Sequence, residues 1–209
     1  MDITLMRHGK PEIAARRGVR WLKACEMHAW IADYNAATVA EMPCSRTKSS
    51  CEAGDYIVSS PLPRALTSLS TLGATPNAIL HELSEAPLPV INVPLIKFPS
   101  GIWLILFRLL WLADLARGSE AKAAVRMRAA RMARELIDAA ERYGHVVSMG
   151  HGILNKFISQ ELTQLGWIKI ESTGSGYASY VTWRSAGGRS DRPDFTQAAA
   201  ISAPHKGAP

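Results

Sequence analysis

Short apolar runs, each closed by a polar or turn-forming residue, recur along most of the chain. Residues 2–6, 56–59, 78–80 and 145–149 are rich in isoleucine, valine, leucine and methionine. Runs of this length between turn signals predict buried β-strands. Residues 177–183 alternate apolar and polar side chains and predict a final strand.

Helical spacing of apolar residues is clearest over residues 120–143. The positions expected to face the core are Val125, Ala129, Met132, Leu136, Ala139, Ala140 and Tyr143. The basic side chains between them are interpreted as a solvated outer face rather than a nucleic-acid site: Lys122, Arg126, Arg128, Arg131 and Arg134. Shorter helices are predicted over residues 64–72 and from 153 to about 165.

The intervening segments have weaker patterns. Residues 12–40 mix helical spacing with scattered charge and predict one or two helices. Residues 43–54 are polar and punctuated by turn residues, which predicts a loop. Residues 82–99 are rich in proline and exclude a regular helix.

The most apolar segment is residues 101–116, which contains Arg108 and Asp114. It is too short to span a bilayer, so a buried or lid-like helix is favoured over a helix lying on a membrane surface. Three of its aromatic residues fall at helical spacing, and a place in the core is favoured over a platform that contacts a substrate: Trp103, Phe107 and Trp111.

Strands that alternate with helices predict an α/β fold, here a three-layer α/β/α sandwich with a mostly parallel central sheet. We expect one domain over residues 1–183. Residues 86–118 are expected to form an excursion above the carboxyl ends of the strands that acts as a partial lid. Residues 184–209 are small, polar and unpatterned, which predicts a flexible tail.

The composition is that of an ordinary soluble protein, with 209 residues of which 47% are hydrophobic and 20% charged. The net charge of +6 suits anionic partners, including phosphorylated small molecules. Cys25, Cys44 and Cys51 form no C-x-x-C pair and are interpreted as reduced thiols. No secretory signal is visible, so we expect a cytoplasmic protein with no stable membrane association and no nucleic-acid partner.

Chemically distinctive residues follow three of the predicted strands. Arg7 and His8 follow the first, Arg64 lies just beyond the second at a helix start, and His151 follows the strand of residues 145–149. In an open α/β sheet the ligand binds beyond the carboxyl ends of the strands, so one pocket can receive two arginines and two histidines.

This set of groups suits a phosphoryl group. The arginine guanidinium presents a planar fork of donors to phosphate oxygens. An imidazole can attack phosphorus through one nitrogen when a hydrogen bond holds the other. Gly9 and Gly152 are expected to let the backbone approach the phosphate.

The segments Met6-Arg7-His8-Gly9, Ser59-Ser60-Pro61-Leu62-Pro63-Arg64-Ala65 and Gly150-His151-Gly152 resemble the motifs of the histidine phosphatase superfamily, also called the phosphoglycerate mutase-like family. Their order and spacing agree with that family from residue 1 to about 183. The resemblance implies a phosphoglycerate mutase-like fold with His8 as the nucleophile. It also implies that Arg7, Arg64 and His151 bind the transferred phosphoryl group.

The family usually adds a carboxyl group that protonates the leaving oxygen and then activates water. Leu83-Ser84-Glu85 matches the family pattern after the third strand, so the resemblance implies Glu85 as this acid, with Glu82 as the alternative. The Glu85-Ala86-Pro87-Leu88-Pro89 run, with Trp103, Arg108 and Trp111, is similar to a branch of small bacterial members and supplies no substrate.

The expected activity is hydrolysis of a small phosphomonoester through a phosphohistidine on His8, with no metal and no other cofactor. Lys10-Pro11-Glu12 stands where the mutase branch commonly has its W-N pair, which favours a hydrolase over a mutase. Lys10 is equally consistent with a substrate contact and with plain exposure. For Arg108 a surface salt bridge is the default interpretation, and a position facing the mouth of the pocket is the alternative.

Two alternatives stay open. One is a phosphate-binding or regulatory protein that barely turns over, and the other is a protein-phosphohistidine phosphatase that depends less on Glu85. The sequence indicates neither the natural substrate nor the oligomeric state.

Overall fold

The computed structural model of the protein describes residues 1–15, 21–39, 45–89, 95–115 and 120–187. Most of its strands form one six-stranded sheet, ordered β4-β3-β6-β1-β8-β7, and β2 pairs with β5 separately. The strands are β1 (Asp2–Arg7), β2 (Trp21–Lys23), β3 (Tyr56–Ser59), β4 (Ala78–Ile79), β5 (Lys97–Pro99), β6 (His145–Gly150), β7 (Trp167–Ser172) and β8 (Tyr180–Ser185). Within the large sheet β4, β3, β6 and β1 run parallel, and β8 is antiparallel to both of its neighbours. The predicted mostly parallel sheet is confirmed.

Helices cover both faces of this sheet. They are α1 (Glu12–Ala15), α2 (Met27–Ala36), α3 (Ser45–Glu52), α4 (Pro63–Thr71), α5 (Ser100–Leu112), α6 (Lys122–Tyr143) and α7 (Gly152–Gln164). Ile3 and Leu5 of β1 pack with α6 and α7, whereas Met6 packs with α3 and α4. Because successive strand residues face opposite ways, this alternation produces the three-layer sandwich that the sequence predicts.

The long helix α6 follows its predicted pattern closely. Val125, Ala129, Met132 and Leu136 are buried in the core between the helix layer and the sheet. Tyr143, predicted to face the core, is instead 47% exposed and stacks on Tyr56 with ring centroids 4.2 Å apart. It lies in the last turn, where the helix reaches the end of the sheet.

Three segments differ from the sequence-based expectation. The predicted loop over residues 43–54 is wrong over Ser45–Glu52, which is α3. The segment is polar overall but buries Thr47 and Cys51, one helical turn apart, which suffices to attach it to the sheet. Residues 40–44, and with them Cys44, lie outside the described part of the chain.

At the carboxyl end, β7 has no counterpart in the predictions. It is an edge strand in which Ile168 and Ile170 are exposed, so its apolar residues do not mark a buried face. Strand β8 continues through Ser185, so the expected start of the tail at residue 184 falls inside a strand. The rest of the expected tail, residues 188–209, lies outside the described part.

Two excursions from the sandwich pack against each other and form a cap. Residues of β2, α2 and α5 share a cluster built around Trp30, Trp103 and Phe107. The predicted excursion over residues 86–118 therefore has a partner in the amino-terminal third of the chain, although residues 90–94 and 116–119 of this stretch are not described. The aromatic residues of α5 are buried as predicted. Its opposite side, here called the outer face of α5, is exposed and apolar: Ile102, Ile105, Leu109 and Leu112.

In the described part of the chain, no helix combines the length and the hydrophobicity that crossing a bilayer requires.

Candidate active site

The residues singled out at the strand ends lie together because β3, β6 and β1 are neighbours in the sheet. Arg7 is opposite Gly150 across the β1–β6 pair, so the next residues, His8 and His151, are also neighbours. Their ring centroids lie 5.0 Å apart. A cavity of about 580 Å³ opens at this point between the sheet and the cap.

Four of the five predicted site residues line this cavity: Arg7, His8, Arg64 and Glu85. His151, the fifth, is fully buried beside His8. Glu82, the alternative acid, is exposed and does not line the cavity. The structure thus brings the five residues together and separates Glu82 from them.

His8 is held as a neutral imidazole with one nitrogen free. Its Nδ1 lies 2.7 Å from the Gly9 carbonyl oxygen, which can only accept, so Nδ1 carries the proton and Nε2 keeps its lone pair. Burial lowers the pKa of His8 to about 3, Arg64 and Arg7 add to the lowering, and the Gly9 carbonyl opposes it. At neutral pH the ring is therefore uncharged and able to act as a nucleophile.

His151 is oriented by Ser60. Ser60 Oγ accepts from the Leu62 N–H at 3.3 Å and lies 2.8 Å from His151 Nε2. A serine hydroxyl can donate one hydrogen bond and accept two, so this contact is compatible with either neutral tautomer of His151. His151 Nδ1 is buried with no hydrogen-bond partner among the described residues, and in the tautomer that is protonated there it is available as a donor. Burial, followed by the charge of Arg64, holds the pKa of His151 well below its ordinary value.

Each site arginine stacks on a tyrosine, and the two tyrosines meet. The Arg64 guanidinium lies 4.9 Å from the ring centroid of Tyr34, and that of Arg7 lies 4.5 Å from the ring centroid of Tyr177. The two tyrosine hydroxyl oxygens are 3.3 Å apart. Burial, together with its neighbour Tyr177, raises the pKa of Tyr34, so its hydroxyl remains a protonated donor at neutral pH.

Backbone anchors complete the orientation of the arginines. Arg64 Nη1 donates to the Tyr34 carbonyl at 3.3 Å and to Asn35 Oδ1 at 3.2 Å, and Arg7 Nη1 donates to the Ser175 carbonyl at 2.7 Å. The Nε atoms of both arginines are buried without a partner among the described residues. Since buried polar groups are normally paired, these two donors are available to an anionic ligand.

Gly9 and Gly152, the glycines of two of the motifs, lie beside the groups that position the site arginines. A Cβ atom at Gly152 would lie 3.3 Å from Cζ of Arg7, so this glycine makes room for the guanidinium. The Gly9 N–H donates to Ser68 Oγ at 2.9 Å, and that hydroxyl donates to the Arg64 carbonyl at 2.6 Å. Gly152 thus has a packing role beside Arg7, and the Gly9 backbone is tied to Arg64 through Ser68; the expectation that both glycines let the backbone approach the phosphate stays a prediction.

Glu85 lies at the amino terminus of α7. Its carboxylate accepts from the backbone N–H groups of Ile153 at 3.2 Å and Leu154 at 3.3 Å. These N–H groups, which have no partner within the helix, fix the orientation of the carboxyl group. The helix that follows His151 therefore also positions the carboxylate.

Arg128 holds the segment that carries Glu85. Its Nη1 donates to the carbonyl oxygens of Glu82 at 2.5 Å and Ser84 at 2.6 Å, and its other nitrogens pair with the carboxylate of Glu120. The assignment of Arg128 to a solvated outer face is wrong, because only 12% of its side chain is exposed. It lies at the flank of α6, where the segment before Glu85 covers it.

Solved structures with this architecture were found. They include phosphoserine phosphatase from Entamoeba histolytica in complex with 3-phosphoglyceric acid, at 16% identity and a TM-score of 0.54, covering 87% of this chain and 89% of that one. TTHB049 from Thermus thermophilus matches at 20% identity and a TM-score of 0.53, covering 87% and 92%. Alpha-ribazole phosphatase from Shigella flexneri matches at 14% identity and a TM-score of 0.51, covering 78% and 79%. The chain has the histidine phosphatase fold. No protein-family model and no curated protein matches it.

Within this histidine phosphatase fold, two further cations line the cavity. Arg108 donates to the Ala86 carbonyl at 3.4 Å, stacks over Trp111 and leaves Nη1 buried without a partner among the described residues. Its assignment to a surface salt bridge is wrong. Lys156 also lines the cavity, whereas Lys10 is exposed away from it.

Sequence reasoning missed Tyr34, Tyr177 and Lys156. Lys156 follows Gly152 by one helical turn, so its spacing could have indicated it. The two tyrosines come from distant parts of the chain, and no local pattern marks them. Among the described residues, no group of three or more His, Cys, Asp or Glu side chains is arranged to hold a metal ion.

Proposed function

We propose that the protein is a phosphomonoester hydrolase that forms a phosphohistidine on His8. The observation that carries this proposal is the neutral, buried His8 beside two arginines. Within the described part of the chain, Nε2 of His8 has no hydrogen-bond partner, and neither has Nε of Arg7 or Arg64. A neutral imidazole is the form that can attack phosphorus, and fixed cations stabilise the charge on the transferred group.

In the first step, Nε2 of His8 forms a bond to phosphorus while the bond from phosphorus to the ester oxygen breaks. Arg7, Arg64 and Nδ1 of His151 bind the three equatorial oxygens of the transferred phosphoryl group, over which the charge is spread. Glu85 donates its proton to the leaving alcohol oxygen. In the second step, Glu85 takes a proton from water, the water oxygen bonds to phosphorus, and the electron pair returns to Nε2.

The neighbours in the comparisons support the reaction class. Two of those named above are phosphatases, one acting on phosphoserine and the other on alpha-ribazole phosphate by its name. Their low identity does not transfer a substrate to this chain.

Hydrolysis of para-nitrophenyl phosphate tests the proposal, with and without a chelator, in the native protein and in His8→Ala. We expect chelator-resistant release that is lost in His8→Ala, together with an acid-labile phosphoryl group on the native protein after rapid quenching. Release that persists in folded His8→Ala contradicts the proposed nucleophile. No turnover of this ester or of natural phosphoesters by folded native protein favours a phosphate-binding protein instead.

Glu85→Gln tests the acid, with Glu82→Gln as the matched control. Loss of the proton donor is expected to slow hydrolysis of an alkyl phosphate by ~10²–10⁴ and to affect the nitrophenyl ester much less, because nitrophenolate leaves without a proton. Glu82→Gln is expected to retain the native rates, since Glu82 is exposed outside the cavity. Equal losses on both esters in Glu85→Gln contradict the acid role.

A further inference from the structure

Most of the cavity lies beyond the phosphoryl site, and its walls there are apolar. A cavity of about 580 Å³ is in the range occupied by whole small-molecule ligands, so a phosphoryl group fills only one end of it. The remaining wall is supplied by aliphatic side chains from the cap and the segment after Glu85: Ile31, Leu62, Leu88, Leu104, Ile105 and Leu109.

The apolar wall continues out of the cavity along α5. Ile105 and Leu109 line the cavity, yet they are 63% and 58% exposed. Ile102 and Leu112 extend the same outer face by one turn in each direction. Single exposed apolar residues are ordinary, but contiguous exposed apolar patches mark interaction sites, among them ligand-binding grooves. Because this patch joins the cavity, we interpret it as the continuation of a groove for an apolar ligand.

The charged groups at this end are already engaged. Arg108 is stacked on Trp111, and burial lowers its pKa while the nearby Glu85 opposes that lowering. The carboxyl oxygens of Glu85 accept from the backbone N–H groups at the amino terminus of α7. Among the described charged side chains at this end, Lys156 and one nitrogen of Arg108 remain to meet a second polar group. The neutral polar side chains of Asn35, Ser84 and Ser175 also line the cavity, and the rest of the wall is aliphatic.

The geometry points to a substrate class: a phosphomonoester of a predominantly apolar alcohol. The phosphoryl group binds at His8, and the hydrocarbon part lies along the aliphatic wall and leaves between Ile105 and Leu109. This inference rests on the proposed function and names the substrate of the same site.

A series of methyl, butyl and octyl phosphate tests it, each kept below its micellar concentration. The value of kcat/KM is expected to rise by up to about fourfold for each methylene that is fully buried. From methyl to butyl phosphate this gives roughly an eightfold rise if the chain is half-buried. Phosphoserine and 3-phosphoglycerate serve as esters with a second anionic group.

The outcomes separate this inference from the proposed function. If the protein hydrolyses para-nitrophenyl phosphate but kcat/KM stays constant or falls from methyl to octyl phosphate, the inference is overturned and the proposed phosphatase activity stands. A preference of tenfold or more for phosphoserine or 3-phosphoglycerate over butyl phosphate also overturns it. If no ester is hydrolysed, the affinity of the native protein for the alkyl series, measured by calorimetry, decides: affinity that rises with chain length supports the inference, and affinity that does not rise overturns it.

A matched pair of variants locates the apolar contact. Leu109→Asn replaces a cavity-lining leucine, and Leu165→Asn replaces a leucine that is similarly exposed at the end of α7, outside the cavity. Both changes are neutral and nearly isosteric, so the charge at the phosphoryl site is preserved. We expect the ratio of kcat/KM for octyl over methyl phosphate to fall by about fivefold in Leu109→Asn. The ratio is expected to stay native in Leu165→Asn, and equal ratios in the two folded variants overturn the placement.

Discussion

Replacing His8 by glutamine is expected to remove part of the acid sensitivity of the fold. In the unfolded chain a histidine takes up a proton as the pH falls through about 6.5. In the folded protein burial, assisted by Arg64 and Arg7, lowers the pKa of His8 to about 3. Between these two values the unfolded state binds more protons than the folded state, so the free energy of unfolding falls as the pH falls.

The size of the effect follows from the separation of the two pKa values. Each pH unit below 6.5 changes the free energy of unfolding by about 1.4 kcal/mol per such histidine until the folded pKa is reached. Between pH 6.5 and 4.5 His8 alone contributes a loss of ~2 kcal/mol. His151 has a lowered pKa as well and contributes in the same direction, but it is retained in the variant.

Urea unfolding of the native protein and of His8→Gln, in buffers free of phosphate, measures this difference. The native protein is expected to lose ~2 kcal/mol more than His8→Gln over the interval from pH 6.5 to 4.5. His28→Gln, which removes an exposed imidazole on α2, is the control and should follow the native protein. Parallel losses in native protein and His8→Gln would refute the reasoning, because His8 would then titrate alike in both states.

Two further substitutions test the supports of the site. Arg128→Met removes the donors that hold the Glu82 and Ser84 carbonyls, and we expect kcat for an alkyl phosphate to fall at least ~10-fold, with a smaller loss for the nitrophenyl ester. Arg131→Met, at an exposed arginine of the same helix, is the control. An equal loss on the two esters in Arg128→Met would show that Arg128 does not act through Glu85. Gly152→Ala places a Cβ atom 3.3 Å from Cζ of Arg7 and is expected to raise KM about tenfold by displacing a charged donor. Gly101→Ala, whose added Cβ has no atom within 4 Å, is expected to leave KM unchanged. An unchanged KM in Gly152→Ala would show that Arg7 can shift without loss of substrate affinity.

The placement of the site residues could be predicted because it depends on strand ends. Arg7, Arg64 and His151 each follow a short apolar run, and parallel strands deliver the residues after them to one edge of the sheet. Glu85 also lies at this edge, since its segment follows β4 and returns to the same end of the sheet.

What could not be predicted depends on contacts between distant parts of the chain. Tyr34 and Tyr177 meet only because α2 folds back over the sheet, and neither has a local pattern that marks it. Helical periodicity places Arg128 beside the buried face of α6, but whether it is solvated depends on the segment that covers it. For α3, the two buried residues are too few to raise the helical pattern above a polar background.

Arg64 couples the cavity at the end of the sheet to α2, a helix of the cap. The same guanidinium that lines the cavity, at the proposed phosphoryl site, donates to carbonyl oxygens in the last turn of α2, at Tyr34 and Asn35. It thereby acts as a cap on a helix that belongs to the excursion above the sheet. Anion binding at Arg64 and the ordering of the last turn of α2 are therefore thermodynamically linked. Each event orders the Arg64 side chain, so whichever occurs first lowers the free-energy cost of the second. Amide hydrogen exchange in the last turn of α2 should accordingly slow when inorganic phosphate is added.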